Sequence, residues 1–356
     1  MNIRGDEYHC IIRLTKVEDE GSTSGWVSLF RVLLSLLPHV CSVRSAKGER
    51  SDSVGSFVFI ISLRITSVDH VDLVFRSLFE TDYPAVVKNR NVIAVVHPDG
   101  TWSLPTNLDE DLQHTKRYSM AEAMEIIEVL APNVLVQHMQ CEQKFAYNAM
   151  FELLNIPYVG SDSKVSSMIV DKGKVWRPSQ DTDIVSIVAV TRAVLSQAGV
   201  PVPSGMVITR NDDNLDYKDS FPAVVKPTMM ENSVGVCLVR DRVEMEAALA
   251  DCWQFGDTAI IDTFIPGREV RCGAVEMVEG EIQALGCIEY KVARDNIRTF
   301  GDKLEGEDDG LRQAASTTSW MIDESQEPDL VNKLQKIAVR IHRVMGCRDF
   351  SQFDCR

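Results

Sequence analysis

The chain has 356 residues, 45% of them hydrophobic and 25% charged, a balance that suits two or three packed domains. Its formal net charge of -15 at pH 7 would repel a phosphate backbone or an anionic membrane, so neither nucleic acid nor membrane is expected as a partner. Any phosphate bound must meet a local basic pocket.

Nine cysteines fall singly, with no Cys-x-x-Cys pair. They read as reduced thiols in a cytoplasmic compartment, with an organelle as the lesser alternative. Residues 26–37 and 54–63 are apolar but shorter than the roughly 20 residues a spanning helix needs, and Arg31 and Pro38 break the first. The opening residues mix Arg4, Arg13 and Lys16 with Asp6, Glu7 and Glu18, unlike a secretory signal. Residues 1–85 form an atypical segment without assigned structure, within which 21–69 is expected to be an insertion or an unremoved intervening sequence.

Regular patterning begins near Val86. Residues 92–96 read as a buried strand, Pro98-Asp-Gly100 as a turn, 120–130 as an amphipathic helix, 134–136 as a strand and 145–154 as a helix. Alternating strands and helices predict a doubly wound parallel sheet over 86–170. A helix over 190–198 is closed by Gly199, Pro201 and Pro203, near which a domain boundary falls. Strands are expected at 223–226, 235–239, 258–262, 270–278 and 282–290, with a capping box at Asp241 and Glu244 opening a helix that runs to Cys252. Leu330, Leu334, Ala338, Ile341 and Met345 mark a last helix ended by Gly346. In the strand over 350–356, Gln352, Asp354 and Arg356 share one face, and Phe353 and Cys355 the other.

The segment Val225-Lys-Pro-Thr-Met-Met-Glu-Asn-Ser-Val-Gly-Val236 carries the strongest chemical signal. Lys226 ends a strand, Ser233 and loop amides can donate to phosphate oxygens, and Gly235 permits close backbone approach. The competing reading is an exposed lysine on a solvated hairpin. Further pieces follow in order: Asn155-Ile-Pro-Tyr-Val-Gly-Ser161, Val170-Asp-Lys172, Gly199-Val-Pro-Val-Pro203, Ile261-Asp-Thr-Phe-Ile265, Gly267-Arg-Glu-Val-Arg-Cys-Gly273, Asp302-Lys303 and Phe353-Asp354. Together they resemble the ATP-grasp superfamily, and within it the D-alanine:D-alanine ligase-like branch, over residues 92–356.

That resemblance implies an α/β and α+β architecture, an ATP-grasp fold preceded by a doubly wound parallel-sheet domain. The expected parts are 86–170 before the ATP-grasp, 171–203 as a linking helix region with an insertion at 173–188, 204–268 as the small subdomain and 269–356 as an incomplete large one. It also implies ATP with Mg2+ or Mn2+, small amino-acid substrates and a homodimer. The implied reaction joins a carboxylate to an amine through an acyl phosphate. Lys303, Ser233 and Arg271 would be catalytic. Lys172, Lys226, Asn232, Ser233, Asp262, Thr263, Ile265 and Glu269 would hold the nucleotide, and Asp354 the metal.

Bland readings compete. Glu269 and Arg271 lie on one strand face and could pair with each other, Lys303 sits among five acids, and His138 suits a structural role. The family usually has glutamate at Asp262 and often arginine near Gln352, and it continues to a Glu-x-Asn pair, so truncation is expected. Alternative readings are a ligase for another amino acid and metabolite, or a non-catalytic ATP-binding protein. A redox enzyme is disfavoured because no Gly-x-Gly-x-x-Gly follows a strand.

Overall fold

The structure is a computed structural model that describes residues 56–62, 90–97, 99–105, 115–138, 144–170, 187–211, 221–228, 230, 233–277, 280–299 and 319–356. The chain divides into one compact unit of residues 1–163 with 277–281 and a second of 164–276 with 282–356.

The first unit holds a four-stranded sheet in the order β3-β2-β1-β4. Its strands are β1 (Ser56–Ser62), β2 (Arg90–Val96), β3 (Trp102–Ser103) and β4 (Val134–His138). β1 runs parallel to both neighbours, with Val58 opposite Val92 on one side and Leu135 on the other. This strand falls inside the stretch expected to be an insertion, yet it is the middle of the sheet. A continuous apolar run is what a parallel strand flanked on both sides needs, and such a run lacks the alternation that marks a strand in sequence.

Helix α1 (Met120–Leu130) follows β3 and opens on a capping box. The Ser119 hydroxyl accepts from the Glu122 amide at 3.3 Å, while the Glu122 carboxylate accepts from the Ser119 amide at 2.8 Å. Ala123, Met124 and Ile127 are buried in a core with Leu135, Trp102 and Phe151, the last from helix α2 (Lys144–Leu153).

In the second unit, α3 (Ser163–Val170) and α4 (Ile187–Gln197) precede a sheet ordered β5-β8-β6-β7. Its strands are β5 (Gly205–Thr209), β6 (Ala223–Pro227), β7 (Cys237–Val239) and β8 (Thr258–Thr263), all antiparallel. Helix α5 (Arg242–Cys252) buries Met245, Ala248, Leu249 and Cys252 against Val225, Ala259 and Ile261. Asp241 caps it as expected, accepting from the Glu244 amide at 2.9 Å. The reciprocal half of the expected box differs, because the Glu244 carboxylate accepts from the Arg240 amide at 2.7 Å.

A larger sheet is built around β9 (Glu269–Glu276), in the order β10-β9-β11-β12 with β13 also paired to β9. These strands are β10 (Ile282–Ala284), β11 (Ile288–Tyr290), β12 (Ser319–Met321) and β13 (Phe350–Cys355). The strand expected over 282–290 is therefore broken at 285–287, where the Cys287 carbonyl turns to accept from Ile322. Helix α6 (Pro328–Met345) lies on this sheet, with Val331, Leu334 and Ala338 buried against Val270, Cys272 and Ala274. Gly346 caps it at φ 69, a left-handed conformation that glycine adopts without a Cβ penalty. Among the described residues no helix is long and apolar enough to cross a membrane.

Candidate active site

The two sheets of the second unit are joined by the short run from Asp262 to Gly267, and the charged side chains of interest lie on either side of it. On β6, Ala223 and Val225 are buried in the core while Val224 and Lys226 lie on the other face. Asp262 of β8 pairs with Val224, which places its carboxylate diagonally across from the lysine. The Lys226 Nζ lies 2.8 Å from Asp262 Oδ2. Asp262 Oδ1 accepts from the Arg192 guanidinium on α4. The carboxylate is almost fully enclosed, its side chain only 5% exposed. A carboxylate so buried is tolerated because both oxygens meet a cation.

The run continues through Thr263, whose amide donates to the Ser204 carbonyl at 2.9 Å and whose hydroxyl lies 2.7 Å from that of Ser204. Phe264 is buried and Ile265 is exposed. The Ile265 carbonyl accepts from the Nε of Arg356 at 3.3 Å, and the Arg356 guanidinium sits 5.4 Å from the Phe264 ring centre. Ser233 and Gly235 both adopt positive φ, 64 and 68, in the turn leading to β7. A Cβ at Gly235 would come within 3.0 Å of Pro227 Cγ and 3.1 Å of Phe255, so the bare backbone is needed for that turn to close on β6.

One face of the larger sheet is densely charged. Register places Asp354 opposite Arg271, Gln352 opposite Gly273, and Ile288 and Tyr290 opposite Arg271 and Glu269. Phe353 and Cys355 pack on the opposite, core side, as the strand alternation predicts. Arg271 grips Asp354 with both arms, Nε to Oδ1 at 2.7 Å and Nη2 to Oδ2 at 3.0 Å. Burial works against the Arg271 charge, but the Asp354 carboxylate outweighs it and holds the guanidinium protonated. Glu269 is met by Arg298 at 3.2 Å and Arg356 at 3.4 Å. Arg298 is buried over the face of Tyr290, 3.7 Å from the ring centre.

The competing reading in which Glu269 and Arg271 pair with each other does not hold: each has a different partner, supplied by β13, the residue after it and the segment after β11. Sequence reasoning missed Arg192 and Arg298 altogether. Their partners stand 70 residues away for Arg192 and 29 for Arg298, so no local spacing could announce them. Lys172, Asn232, Lys303 and the insertion expected at 173–188 lie outside the described residues, apart from Ile187 and Val188 at the start of α4.

The metal expectation finds little support in these donors. Magnesium takes six oxygens in near-octahedral geometry, several of them carboxylate, phosphate or water. Asp354 offers its carboxylate to a guanidinium already in place, and among the described residues no group of three or more His, Cys, Asp or Glu side chains converges. The described residues do not fit a divalent-ion cage.

Comparison with known proteins follows the same lines. Residues 194–356 match the family model described as D-ala D-ala ligase C-terminus. The chain is 30% identical to a D-alanine--D-alanine ligase of Methylobacterium radiotolerans over 209 residues, 58% of each chain. It is 27% identical to that of Gluconobacter oxydans over 246 residues, 67% of this chain and 69% of the relative. The chain spans 58% of the length of the Methylobacterium relative it matches. Among solved structures, the VanG D-Ala:D-Ser ligase of Enterococcus faecalis superposes with TM-score 0.59 at 16% identity, covering 85% of this chain and 86% of that one. The Bacillus anthracis D-alanine--D-alanine ligase complexed with ATP gives TM-score 0.56 at 19% identity, covering 85% and 82%. Residues 194–356 thus match the C-terminal model of the D-ala D-ala ligases, and the paired sheets give the chain the ATP-grasp fold of the ligase structures that superpose on it.

Proposed function

We propose that the chain is an ATP-dependent carboxylate–amine ligase that joins two D-amino acids, D-alanine with D-alanine first among them. The observation that carries this reading is the placement of Lys226 against Asp262 at one end of the run joining the two sheets and of Glu269 just past its other end, with the exposed Ile265 in the run between. An apolar, exposed hinge residue suits a purine ring. Glu269, held by two arginines, keeps lone pairs for ribose hydroxyls, and Lys226 is a point charge for phosphate.

In the proposed reaction a carboxylate oxygen of the first amino acid attacks the terminal phosphorus of ATP and ADP leaves. The amine of the second then attacks the acyl carbon, phosphate departs with the bonding pair, and the amine gives up a proton. Arg271, fixed by Asp354, is proposed to offer its positive charge to the oxygens on which charge develops, where a preorganised cation is most effective. Ser233 is proposed as a donor to phosphate, and Thr263 as part of the wall beside the base. Lys172, Asn232 and Lys303 take the nucleotide-contacting and phosphoryl-stabilising roles that the resemblance gives them. Free cysteines at 237, 252, 272, 287, 347 and 355 suit a reducing compartment, and the cytoplasm is proposed, with a homodimer as the assembly.

ATP-dependent phosphate release, screened against a panel of D- and L-amino acids, tests the reading. Release with D-alanine that falls at least roughly a hundredfold in Lys226→Met is expected, the order of loss typical of removing one preorganised charge. Release that ignores the amino acid, or survives Lys226→Met, would sink it.

A further inference from the structure

Lys226 does not stand alone against a phosphate: its amine is already 2.8 Å from a carboxylate. A lysine bound to a single aspartate forms a neutral pair with little field to offer an incoming anion. Here the aspartate is shared. Asp262 gives one oxygen to Lys226 and the other to Arg192, so two cations face one carboxylate and a formal positive charge remains in the cluster.

The local structure is arranged for this sharing. Arg192 comes from α4 and Asp262 from β8, and no hydrogen bond of either sheet requires their meeting. The position opposite Asp262 on β5 is Gly205. A Cβ there would clash with the Ile261 carbonyl oxygen and lie 2.6 Å from Asp262 Oδ1, so any other residue would push β5 off β8 and displace the oxygen that Arg192 holds. The glycine has no positive φ to explain it; it lets β5 approach the β8 backbone closely and at the same time leaves room for this carboxylate.

We infer that Arg192 is a positioning residue of the phosphate site, acting through Asp262: by occupying one carboxylate oxygen it leaves Lys226 a charge to offer the phosphates of a nucleotide. This rests on the nucleotide reading proposed above. Arg192 touches neither base nor phosphate in this account, and its effect is confined to the phosphate-dependent part of binding.

The test is the ratio of ATP affinity to adenosine affinity, measured calorimetrically on the full chain. Arg192→Met is expected to lower that ratio roughly tenfold, a coupling of ordinary size for groups sharing one charged partner, while Arg192→Lys retains most of it. Arg192→Met with Asp262→Asn removes the carboxylate that neutralises Lys226, so the ratio should recover. Using a ratio cancels any change Asp262→Asn makes at the base. A purely structural arginine would lower both affinities together and leave the ratio flat; that result, or a fall that the double variant does not reverse, overturns the inference while leaving the nucleotide reading intact. An unaltered chain that binds neither ATP nor adenosine overturns both.

Discussion

A histidine buried against a neutral hydrogen-bond partner makes a protein sensitive to acid, and His97, just past β2, is such a residue. It is 4% exposed, and its Nε2 lies 2.8 Å from the Ser103 hydroxyl. Burial is the main reason its pKa drops from 6.5 to about 4, Arg117 adds to the drop, and Asp99 opposes it. His342 on α6, buried and 2.6 Å from the Ser351 hydroxyl through Nδ1, is shifted in the same direction, chiefly by burial. In the unfolded chain His97 takes up its proton near pH 6.5, whereas in the folded chain it waits until about 4. Between those values the unfolded state binds more protons, so the stability His97 contributes is complete above pH 6.5 and is lost as pH falls toward 4. Denaturant titrations at half-unit steps should therefore show stability falling across this window, with a shallower slope in His97→Gln. An unchanged slope in that variant would mean that other groups carry the acid sensitivity.

At the scale of elements, α6 shows what local pattern can and cannot reveal. Its apolar spacing and terminal glycine made it legible, because burial of one helical face is written at three and four residue intervals. The buried face is Val331, Leu334, Ala338, Ile341 and Met345, and Lys333 is exposed beside it. Leu334→Ala should cost roughly 2–4 kcal/mol through lost transfer energy and a cavity against β9, whereas Lys333→Ala should stay within about 0.5 kcal/mol. Urea midpoints of the two variants decide it, and equal shifts would mean that the helix does not pack as described. β1 resisted the same approach for a physical reason. Its partners β2 and β4 lie far along the chain, so nothing within its own seven residues distinguishes the middle of a sheet from an apolar insertion. The break between β10 and β11 was hidden likewise, since it depends on the Cys287 carbonyl meeting Ile322. Lys226, Asp262 and Glu269 could be singled out from motif order, but the arginines that hold the two acids are tertiary neighbours and were found only in space.

For the molecule as a whole, the charges oppose one another by distance. The chain carries a formal -15, yet around the proposed nucleotide site five cations, Arg192, Lys226, Arg271, Arg298 and Arg356, face the carboxylates of Asp262, Glu269 and Asp354. An approaching ATP first meets the summed negative field and only within a few ångströms the local positive one. At about 0.01 M salt the screening length is about 30 Å, so repulsion by the whole molecule acts throughout the approach; at about 0.1 M it shrinks to about 10 Å, while contacts inside the site are screened much less. The ATP association rate, followed by stopped-flow fluorescence, should therefore rise as salt increases from about 0.01 to about 0.1 M, and the dissociation rate should rise too as the phosphate contacts weaken. An association rate that falls steadily from the lowest salt would mean that the arginine cluster governs the field well outside the site. The net charge would then be irrelevant to encounter, and the argument that the acidic surface confines phosphate to this face would fail with it.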